Sequence, residues 1–390
     1  MKTSPIKLKI GFICGLSTFV DGVPELSAAL RYIRLLVSLS DEIVWITASG
    51  LQLQSRITKN VIPVEISWND VHEKPFFRQV LYHLSQQIRI TLKLMRLRKV
   101  DIVIFAHGLD FYMLPILFAR VFLGKKVVIK SDGRSSIAAM RYLGRGKKYK
   151  AIPIKIIEKI SYLLANTIVV DSDHIVKVHN MQQYQDKLCI AASDSYVDTQ
   201  MFIKSKELLE REYDVAYVGR FSRKKGFLEF LQSLTLFLSS KQLKVLIIGA
   251  DQGDLQIQKL LDDVKTKRIA EVVGWIKPEI LINYLNDIKI LVIPSYEEGL
   301  PRTALEAMAC GCIVLATPVG SLPAVVVDNC TGFIMRDNSP SQIAEAIKSA
   351  LSYPDIESIA QNARLLIDKE YTFEIVVERW QHILQSLHCE

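Results

Sequence analysis

Residues 289–316 read KILVIPSYEEGLPRTALEAMACGCIVLA. An apolar run ends near Pro294, a loop with a glycine follows, and a short helical pattern continues to Gly311, where the next apolar run begins. Pro301 is predicted as the first helical residue and Gly311 as the stop, because proline suits the first turn and glycine the position after the last. The stretch therefore predicts strand, loop, helix and strand, the repeating unit of a parallel α/β sheet.

The same alternation extends outward in both directions. Predicted strands cover residues 6–14, 43–47, 101–106, 126–130 and 167–171, and then 213–218, 244–249, 270–273, 289–293 and 312–316. Between the two series, residues 192–212 are polar and poorly patterned, and a chain of 390 residues can bury two cores. We expect two α/β domains, followed by an amphipathic helix over residues 373–387 whose apolar face needs a partner surface.

The composition excludes several classes of protein. Hydrophobic residues make up 49% and charged residues 23% of the chain, which excludes a disordered chain. No uncharged apolar stretch is long enough to span a membrane, and lysines interrupt the first apolar run, which favours a strand over a signal peptide. The six cysteines lack metal-ligand spacing, so we expect reduced thiols, a cytoplasmic location and no metal.

The charge is concentrated in the first half. Residues 1–198 hold 28 basic and 16 acidic residues, a net charge of +12, whereas the remainder holds 21 and 25, a net charge of −4. Residues 76–99 and 134–159 are basic and amphipathic, which suits an anionic membrane surface. A solvated helix face explains the first segment equally well, while the one-sided charge of the second favours the membrane. Nucleic acid is disfavoured because no recognition module is present.

Two glutamates flank the predicted helix start. The free N–H groups of residues 302–305 form an anion site suited to a diphosphate. Glu298 precedes the helix and Glu306 lies inside it, so both carboxylates can accept hydrogen bonds from hydroxyls of one ligand. Each could instead be a solvated charge, but the apolar residues around Glu306 indicate a buried helix, where a carboxylate needs a partner. Candidate donor contacts here are Gly299, Leu300, Pro301, Arg302 and Thr303.

A second candidate element, VGRFSRKKG at residues 218–226, follows the first strand of the second series. Gly219 allows a tight turn, and Arg220 and Lys225 can clamp a pyrophosphate and stabilise its departure. A solvated basic loop would have the same composition. However, the first loop of a doubly wound domain lies at the carboxyl end of its sheet, where ligands bind.

These motifs resemble glycosyltransferase family 4, retaining enzymes of the GT-B fold, in layout over nearly the whole chain and specifically over residues 215–335. The resemblance implies two facing Rossmann-like domains: residues 1–198 bind the acceptor, residues 199–370 bind the nucleotide-sugar, and the helix at 371–390 returns to the first. It also implies that Glu298 contacts the donor sugar, Glu306 the ribose, and Arg220 and Lys225 the diphosphate, without a metal ion or further cofactor.

The chain departs from the family pattern on the acceptor side. Many members place a histidine just after the fourth strand of the first domain, where this chain reads IKSDG at residues 129–133. Asp132 or Ser131 takes that place, or His107 at the end of the preceding strand contributes. The glycine-rich first loop is reduced to Gly15 and Gly22, and Gly15 fits ligand contact or a core turn.

We therefore expect a retaining hexosyltransferase that uses a nucleotide-diphosphate-sugar. Its acceptor would be a hydroxyl of a glycan or lipid-linked molecule in cell-surface polysaccharide or lipopolysaccharide synthesis, at the inner face of the cytoplasmic membrane. The alternatives are a sugar-nucleotide epimerase of the same fold and a non-catalytic partner that binds nucleotide-sugar. A nicotinamide-dependent oxidoreductase is disfavoured because neither first loop carries GxGxxG.

Overall fold

A computed structural model of the chain describes residues 8–14, 19–20, 23–24, 27–48, 58, 60–67, 76–95, 99–106, 112–133, 136, 151–236 and 243–389. The chain divides into two compact units. The N-terminal unit comprises Met1–Asp194 together with Val376–Glu390, and the C-terminal unit comprises Ser195–Ile375.

The N-terminal unit is built on a seven-stranded parallel sheet with the strand order β5-β4-β1-β6-β7-β8-β9. The strands of the unit are β1 (Lys9–Ile13), β2 (Phe19–Val20), β3 (Val23–Pro24), β4 (Glu42–Ala48), β5 (Val61–Ile66), β6 (Ile102–Ala106), β7 (Lys126–Lys130), β8 (Thr167–Val170) and β9 (Leu188–Ile190). The short β2 and β3 pair separately with each other. The central strands β6 and β8 are wholly buried, as apolar runs in a parallel sheet should be, and β7 is buried from its second residue onward.

Helices connect these strands. They are α1 (Ser27–Val37), α2 (Phe76–Leu94), α3 (Met113–Leu117), which continues as a π-helical turn over Phe118–Phe122, α4 (Ala151–Leu164) and α5 (Asp173–Val178). Within the described ranges, no helix combines the length and the apolarity needed to cross a bilayer.

The C-terminal unit has a six-stranded parallel sheet with the order β12-β11-β10-β13-β14-β15. Its strands are β10 (Tyr213–Val218), β11 (Val245–Ile248), β12 (Glu271–Val273), β13 (Ile288–Ile293), β14 (Ile313–Ala316) and β15 (Phe333–Ile334). Its helices are α6 (Phe227–Thr235), α7 (Leu255–Thr266), α8 (Pro278–Asp287), α9 (Arg302–Ala309), α10 (Leu322–Val325), α11 (Pro340–Leu351) and α12 (Ile356–Glu370). The carboxyl ends of β10 and β13 therefore lie side by side, which brings the two predicted site motifs to one edge.

Most of the terminal helix α13 (Phe373–Cys389) belongs to the N-terminal unit, from Val376 onward. Trp380 is fully buried, its ring centroid lies 5.2 Å from that of Tyr32, and its indole Nε1 donates to the carbonyl of Ala192 over 2.8 Å. Truncating a buried tryptophan of this kind costs about 3–5 kcal/mol. The unit therefore closes its core with residues from the far end of the chain.

Candidate active site

The helix α9 starts one residue later than predicted. Pro301 is its N-cap in an extended conformation, and Arg302 is the first helical residue. The N–H of Ala304 was predicted to be free, but it donates to the carbonyl of Pro301 over 3.1 Å. Gly311, with a φ of +74°, follows the helix as expected. The anion-binding end of α9 is therefore best supplied by the N–H groups of Arg302 and Thr303.

Glu298 lies in the loop before α9 and is held by two side chains. The Nζ atom of Lys225 lies 2.7 Å and 2.6 Å from its two carboxylate oxygens, and the Ser295 hydroxyl donates to Oε1 over 2.6 Å. The side chain of Glu298 is only 6% exposed, whereas that of Lys225 is 25% exposed. A buried carboxylate is stable only when it is paired in this way, and the partly exposed cation remains accessible to a second anion.

A glycine allows the two loops that carry this ion pair to pack closely against each other. Gly226, which follows Lys225, has a φ of +65°, and a Cβ atom there would lie 1.9 Å from the carbonyl oxygen of Pro294. The N–H of Tyr296 donates to the carbonyl of Lys224 over 2.9 Å. The first loop of the unit therefore rests directly on the loop after β13, and only glycine permits that contact.

A third loop, which follows β14, packs against the backbone of Glu298. Gly320 follows β14 with a φ of +59°, and a Cβ atom there would lie 2.0 Å from the carbonyl oxygen of Glu298. The N–H of Ser321 donates to the carbonyl of Gly299 over 2.7 Å. Three loops at the carboxyl edge of the sheet thus fix the backbone of Glu298, the rigid support that a binding site needs.

Arg220 projects from the first loop. Its side chain is exposed and, in the part of the chain that the structure describes, forms no ion pair. Its carbonyl accepts the hydroxyl of Tyr217 over 2.7 Å, and burial, followed by the charge of Glu298, raises the pKa of Tyr217 well above its ordinary value. The neutral Tyr217 therefore anchors the loop while the guanidinium stays available. Gly219 donates its N–H to the carbonyl of Ile248 over 3.0 Å.

Glu306 lies on the second turn of α9 and is buried. Ala304, Leu305, Ala307 and Met308 around it are fully buried, as the apolar pattern predicted. The predicted donor contacts Gly299, Pro301, Arg302 and Thr303 are half-buried and Leu300 is buried. The C-terminal unit therefore brings the predicted donor residues together in one loop-and-helix segment and the facing first loop.

In the N-terminal unit, Asp132 belongs to a charge cluster that centres on a lysine. The Nζ atom of Lys130, the last residue of β7, lies 2.8 Å from Oδ1 of Asp132 and 3.1 Å from Oδ2 of Asp171, just after β8. Burial alone would lower the pKa of Lys130, but the two carboxylates outweigh it and raise the pKa. Burial raises the pKa of Asp171 to about 6 despite the nearby lysine.

The sequence predicted Asp132 but missed its two partners. The available signal was a lysine at the end of one predicted strand, followed one strand later by an aspartate at the end of the next. Ser131, the predicted alternative, shares a 2.8 Å hydrogen bond with the hydroxyl of Tyr162. His107 and Gly15 lie outside the described residues. No three histidine, cysteine or carboxylate side chains of the described ranges cluster closely enough to hold a metal ion.

A cleft of about 460 Å³ lies along the same edge of the C-terminal sheet. Phe221, which directly follows Arg220, and Gly249 at the end of β11 line one side of it, and Asp262 and Lys265 of α7 line another. The cleft therefore extends the candidate site from the first loop toward β12.

Known proteins with similar sequences are glycosyltransferases. Residues 198–365 match the family model described as glycosyl transferases group 1. The chain is 25% identical to the capsular polysaccharide biosynthesis glycosyltransferase CapM of Staphylococcus aureus, over 62% of this chain and 67% of that protein. It is 28% identical to the lipopolysaccharide 1,2-N-acetylglucosaminetransferase of Salmonella typhimurium, over 44% of this chain and 48% of that protein. The matches thus span about half to two thirds of the length of these relatives.

Solved structures match along almost the whole chain. Sucrose-phosphate synthase from Thermosynechococcus elongatus superposes with a TM-score of 0.74 at 16% identity and covers 98% of this chain and 100% of its own. HepE from Anabaena, solved in complex with UDP, gives 0.72 at 12% identity with the same coverage. The chain therefore has the GT-B fold, and its C-terminal unit carries the region that matches the glycosyl transferases group 1 family.

Proposed function

We propose that the protein transfers a hexosyl group from a nucleotide-diphosphate-sugar to a hydroxyl of a glycan or lipid-linked acceptor. The observation that carries this proposal is the pairing of Lys225 with the buried Glu298 beside the start of α9. One small region then offers two backbone N–H groups, two cations and a carboxylate. Few ligands need all of these, and a sugar diphosphate does.

The diphosphate would bind at the start of α9. Its oxygens would accept the N–H groups of Arg302 and Thr303, where the helix dipole favours an anion. Arg220 and Lys225 would neutralise the charge that grows as the diphosphate departs, the task a divalent cation performs in other transferases. Transfer then needs no metal ion.

The two glutamates would position the sugar and the nucleotide. When the diphosphate shares Lys225, Glu298 can accept hydrogen bonds from hydroxyls of the donor sugar, and Glu306 from those of the ribose. The cleft beside Phe221 leaves room for the rest of the nucleotide. We propose transfer with retention: the bond from C1 to the diphosphate breaks and the acceptor oxygen bonds C1 on the same face. The acceptor proton passes to the departing diphosphate.

The names of the relatives support an acceptor in cell-surface polysaccharide synthesis. CapM acts in capsular polysaccharide synthesis and the Salmonella enzyme on lipopolysaccharide, which suggests a glycan or lipid-linked acceptor for this chain as well. The +12 charge of residues 1–198 suits an anionic acceptor or lipid. We accordingly propose that the protein works on the inner face of the cytoplasmic membrane.

Thermal unfolding with a panel of UDP-, GDP-, ADP- and dTDP-sugars tests the donor site. A cognate donor at about 100 times its Kd should add about 2.7 kcal/mol of stability. Glu306→Gln should weaken that stabilisation. Lys225→Met should lower kcat about 100- to 1000-fold, because it removes stabilisation of the leaving group.

Lys224→Met is the matched control, since Lys224 is an exposed neighbour in the same basic loop, and it should keep wild-type turnover. If Lys225→Met turned over as fast as wild type, the assignment would be wrong. Product analysis separates the alternatives: an epimerase converts the donor without an acceptor, and a non-catalytic partner binds the donor and leaves it intact.

A further inference from the structure

Three helices form one layer on a side of the N-terminal sheet. The middle helix α3 packs against both α2 and α4. Their inner sides contribute to a single core, with Ile90 and Leu94 from α2, Ile116 from α3 and Tyr162 from α4. The outer sides of these helices therefore form one continuous surface of the unit.

That outer surface is apolar. On α2, Leu81, Leu84, Ile88 and Leu92 follow helical spacing and are 43–61% exposed. On α4, the same spacing exposes Ile152, Ile156, Ile160 and Leu163 by 37–59%. Val121 and Phe122, at the end of the turn that continues α3, are 60% and 71% exposed. We call these exposed apolar side chains of α2, α4 and the turn the docking face.

Several polar residues of α2 and α4 are buried, while most of the basic ones stay exposed. Glu158 of α4 is fully buried and accepts the N–H of Ser136 over 3.0 Å. Gln87 of α2 is buried and accepts the N–H of Leu114 over 2.9 Å. A surface helix in water normally has the opposite arrangement. Because the buried polar groups are anchored by hydrogen bonds, the helices are fixed with leucines and isoleucines outward.

The charged side chains exposed on the two helices and the turn of the docking face are all basic. Arg89, Arg120, Lys155 and Lys159 are exposed on the three elements, whose sequences contain one acidic residue, the buried Glu158. Residues 134–150, which lead into α4, contain six basic residues and no acidic residue. A second copy of the chain would bring these like charges together, whereas an anionic bilayer would neutralise them.

We infer that the docking face lies on the surface of an anionic lipid bilayer, with its apolar side chains in the boundary between headgroups and acyl chains. Amphipathic helices bury their apolar side about 5–10 Å into this boundary. The cations beside them can each add about 1 kcal/mol by contact with lipid phosphates. Docking of this kind would bring the donor site to an acceptor carried by the same bilayer, and in this respect alone it rests on the proposed function.

Co-sedimentation of the full-length protein with lipid vesicles tests this inference. We expect binding to phosphatidylcholine vesicles that contain phosphatidylglycerol, and at least about tenfold weaker binding to vesicles of phosphatidylcholine alone. Two basic residues that each contribute about 1 kcal/mol would change the Kd by more than tenfold, because a tenfold change needs only about 1.4 kcal/mol. Ile88→Glu combined with Ile156→Glu should reduce binding at least about tenfold, because charges are costly at this depth. Leu209→Glu is the control: Leu209 is 90% exposed in the C-terminal unit, and its replacement should leave binding unchanged.

A charge pair separates electrostatic attraction from insertion. Lys155→Gln with Lys159→Gln should weaken binding to the anionic vesicles, and Lys259→Gln with Lys267→Gln, exposed in the C-terminal unit, should not. Stabilisation by the nucleotide-sugar panel should be the same in all these variants, because the docking face and the donor site belong to different units. A failure of the donor site would therefore not be mistaken for a failure of the docking face.

Three results would overturn the inference. The wild-type protein could ignore anionic vesicles, or Ile88→Glu with Ile156→Glu could bind them as wild type does. Sedimentation velocity could also show a dimer that this double variant converts to a monomer, which would assign the docking face to a second copy of the chain.

Discussion

The two units place a lysine and a carboxylate at the same edge of a parallel sheet, but the two lysines differ in their access to solvent. In the C-terminal unit, Lys225 is 25% exposed and contacts Glu298 from a loop. In the N-terminal unit, Lys130 is 0% exposed and Asp171 4% exposed. A lysine that ends a central strand is locked between neighbouring strands, whereas one in a loop can exchange its partner. The comparison predicts that Lys225 can exchange its carboxylate partner for a ligand, whereas Lys130 cannot.

The largest expected effect separates the two lysines by stability. Lys130→Met should reduce the free energy of unfolding by about 3–5 kcal/mol, because it leaves a buried carboxylate without its counter-charge. Lys225→Met should cost less, because Lys225 is 25% exposed, so that water can approach Glu298 in its place, and the Ser295 hydroxyl still donates to that carboxylate. Urea denaturation followed by tryptophan fluorescence suits the comparison, because Trp45 and Trp380 are buried in the N-terminal unit; far-UV circular dichroism follows the whole chain.

A double variant checks the cause. Lys130→Met combined with Asp171→Asn should recover part of the loss, because an uncharged amide replaces the unpaired carboxylate. Equal losses for Lys130→Met and Lys225→Met would contradict the comparison.

An intermediate effect concerns how the C-terminal pair is assembled. Gly226→Ala should cost more stability than Gly253→Ala and should abolish donor binding, because its Cβ atom meets the Pro294 carbonyl. Gly253 has a similar φ of +79° but nothing within 4 Å of its Cβ position, so it isolates the backbone cost of about 1–2 kcal/mol. Thermal unfolding with and without donor measures both. Equal effects of the two substitutions would show that the loop contact does not hold the site.

The smallest effect is a pH dependence specific to the buried cluster. The folded-state pKa of Asp171, about 6, exceeds its ordinary value of 3.8, so the folded state holds this proton more tightly than the unfolded chain. Its stabilising contribution is complete below the lower value and is lost as pH rises through about 6, by at most about 1.4 kcal/mol per pH unit.

The control for this titration is Asp171→Asn. The difference in unfolding free energy between wild type and this variant should be greater near pH 5 than near neutral pH, because only the wild type can take up the proton. A difference that does not change with pH would rule out this titration.

The fold was largely predictable because buried parallel strands are continuous apolar runs. The predicted strands at residues 126–130 and 213–218 have the same bounds in the structure. In the two parallel sheets, the sequence missed β5, β9 and β15, which are all edge strands. In β5, Pro63 and Glu65 interrupt the apolar run, and an edge strand tolerates both because one side has no partner. Edge strands carry a weaker sequence signal for this reason.

The candidate site was predictable only in its local parts. The apolar neighbours of Glu306 correctly indicated a buried helix, but nothing local links Lys225 to Glu298, which are 73 residues apart. Their contact depends on the close approach of Gly226 to Pro294. The pattern of α4 likewise predicted an amphipathic helix without showing that its isoleucines face outward, because Glu158 is buried through a specific hydrogen bond. Long-range partners decide both features.

The return of α13 to the N-terminal unit affects the order in which the chain can fold during synthesis. Residues Ser195–Ile375 form a continuous stretch and can complete their core as soon as they leave the ribosome. The earlier unit must wait for Trp380, and until then Tyr32 and the carbonyl of Ala192 lack their partner. The half of the protein that is made first is therefore the half that finishes last, and a chain that ended before Trp380 would have one mature unit and one incomplete one.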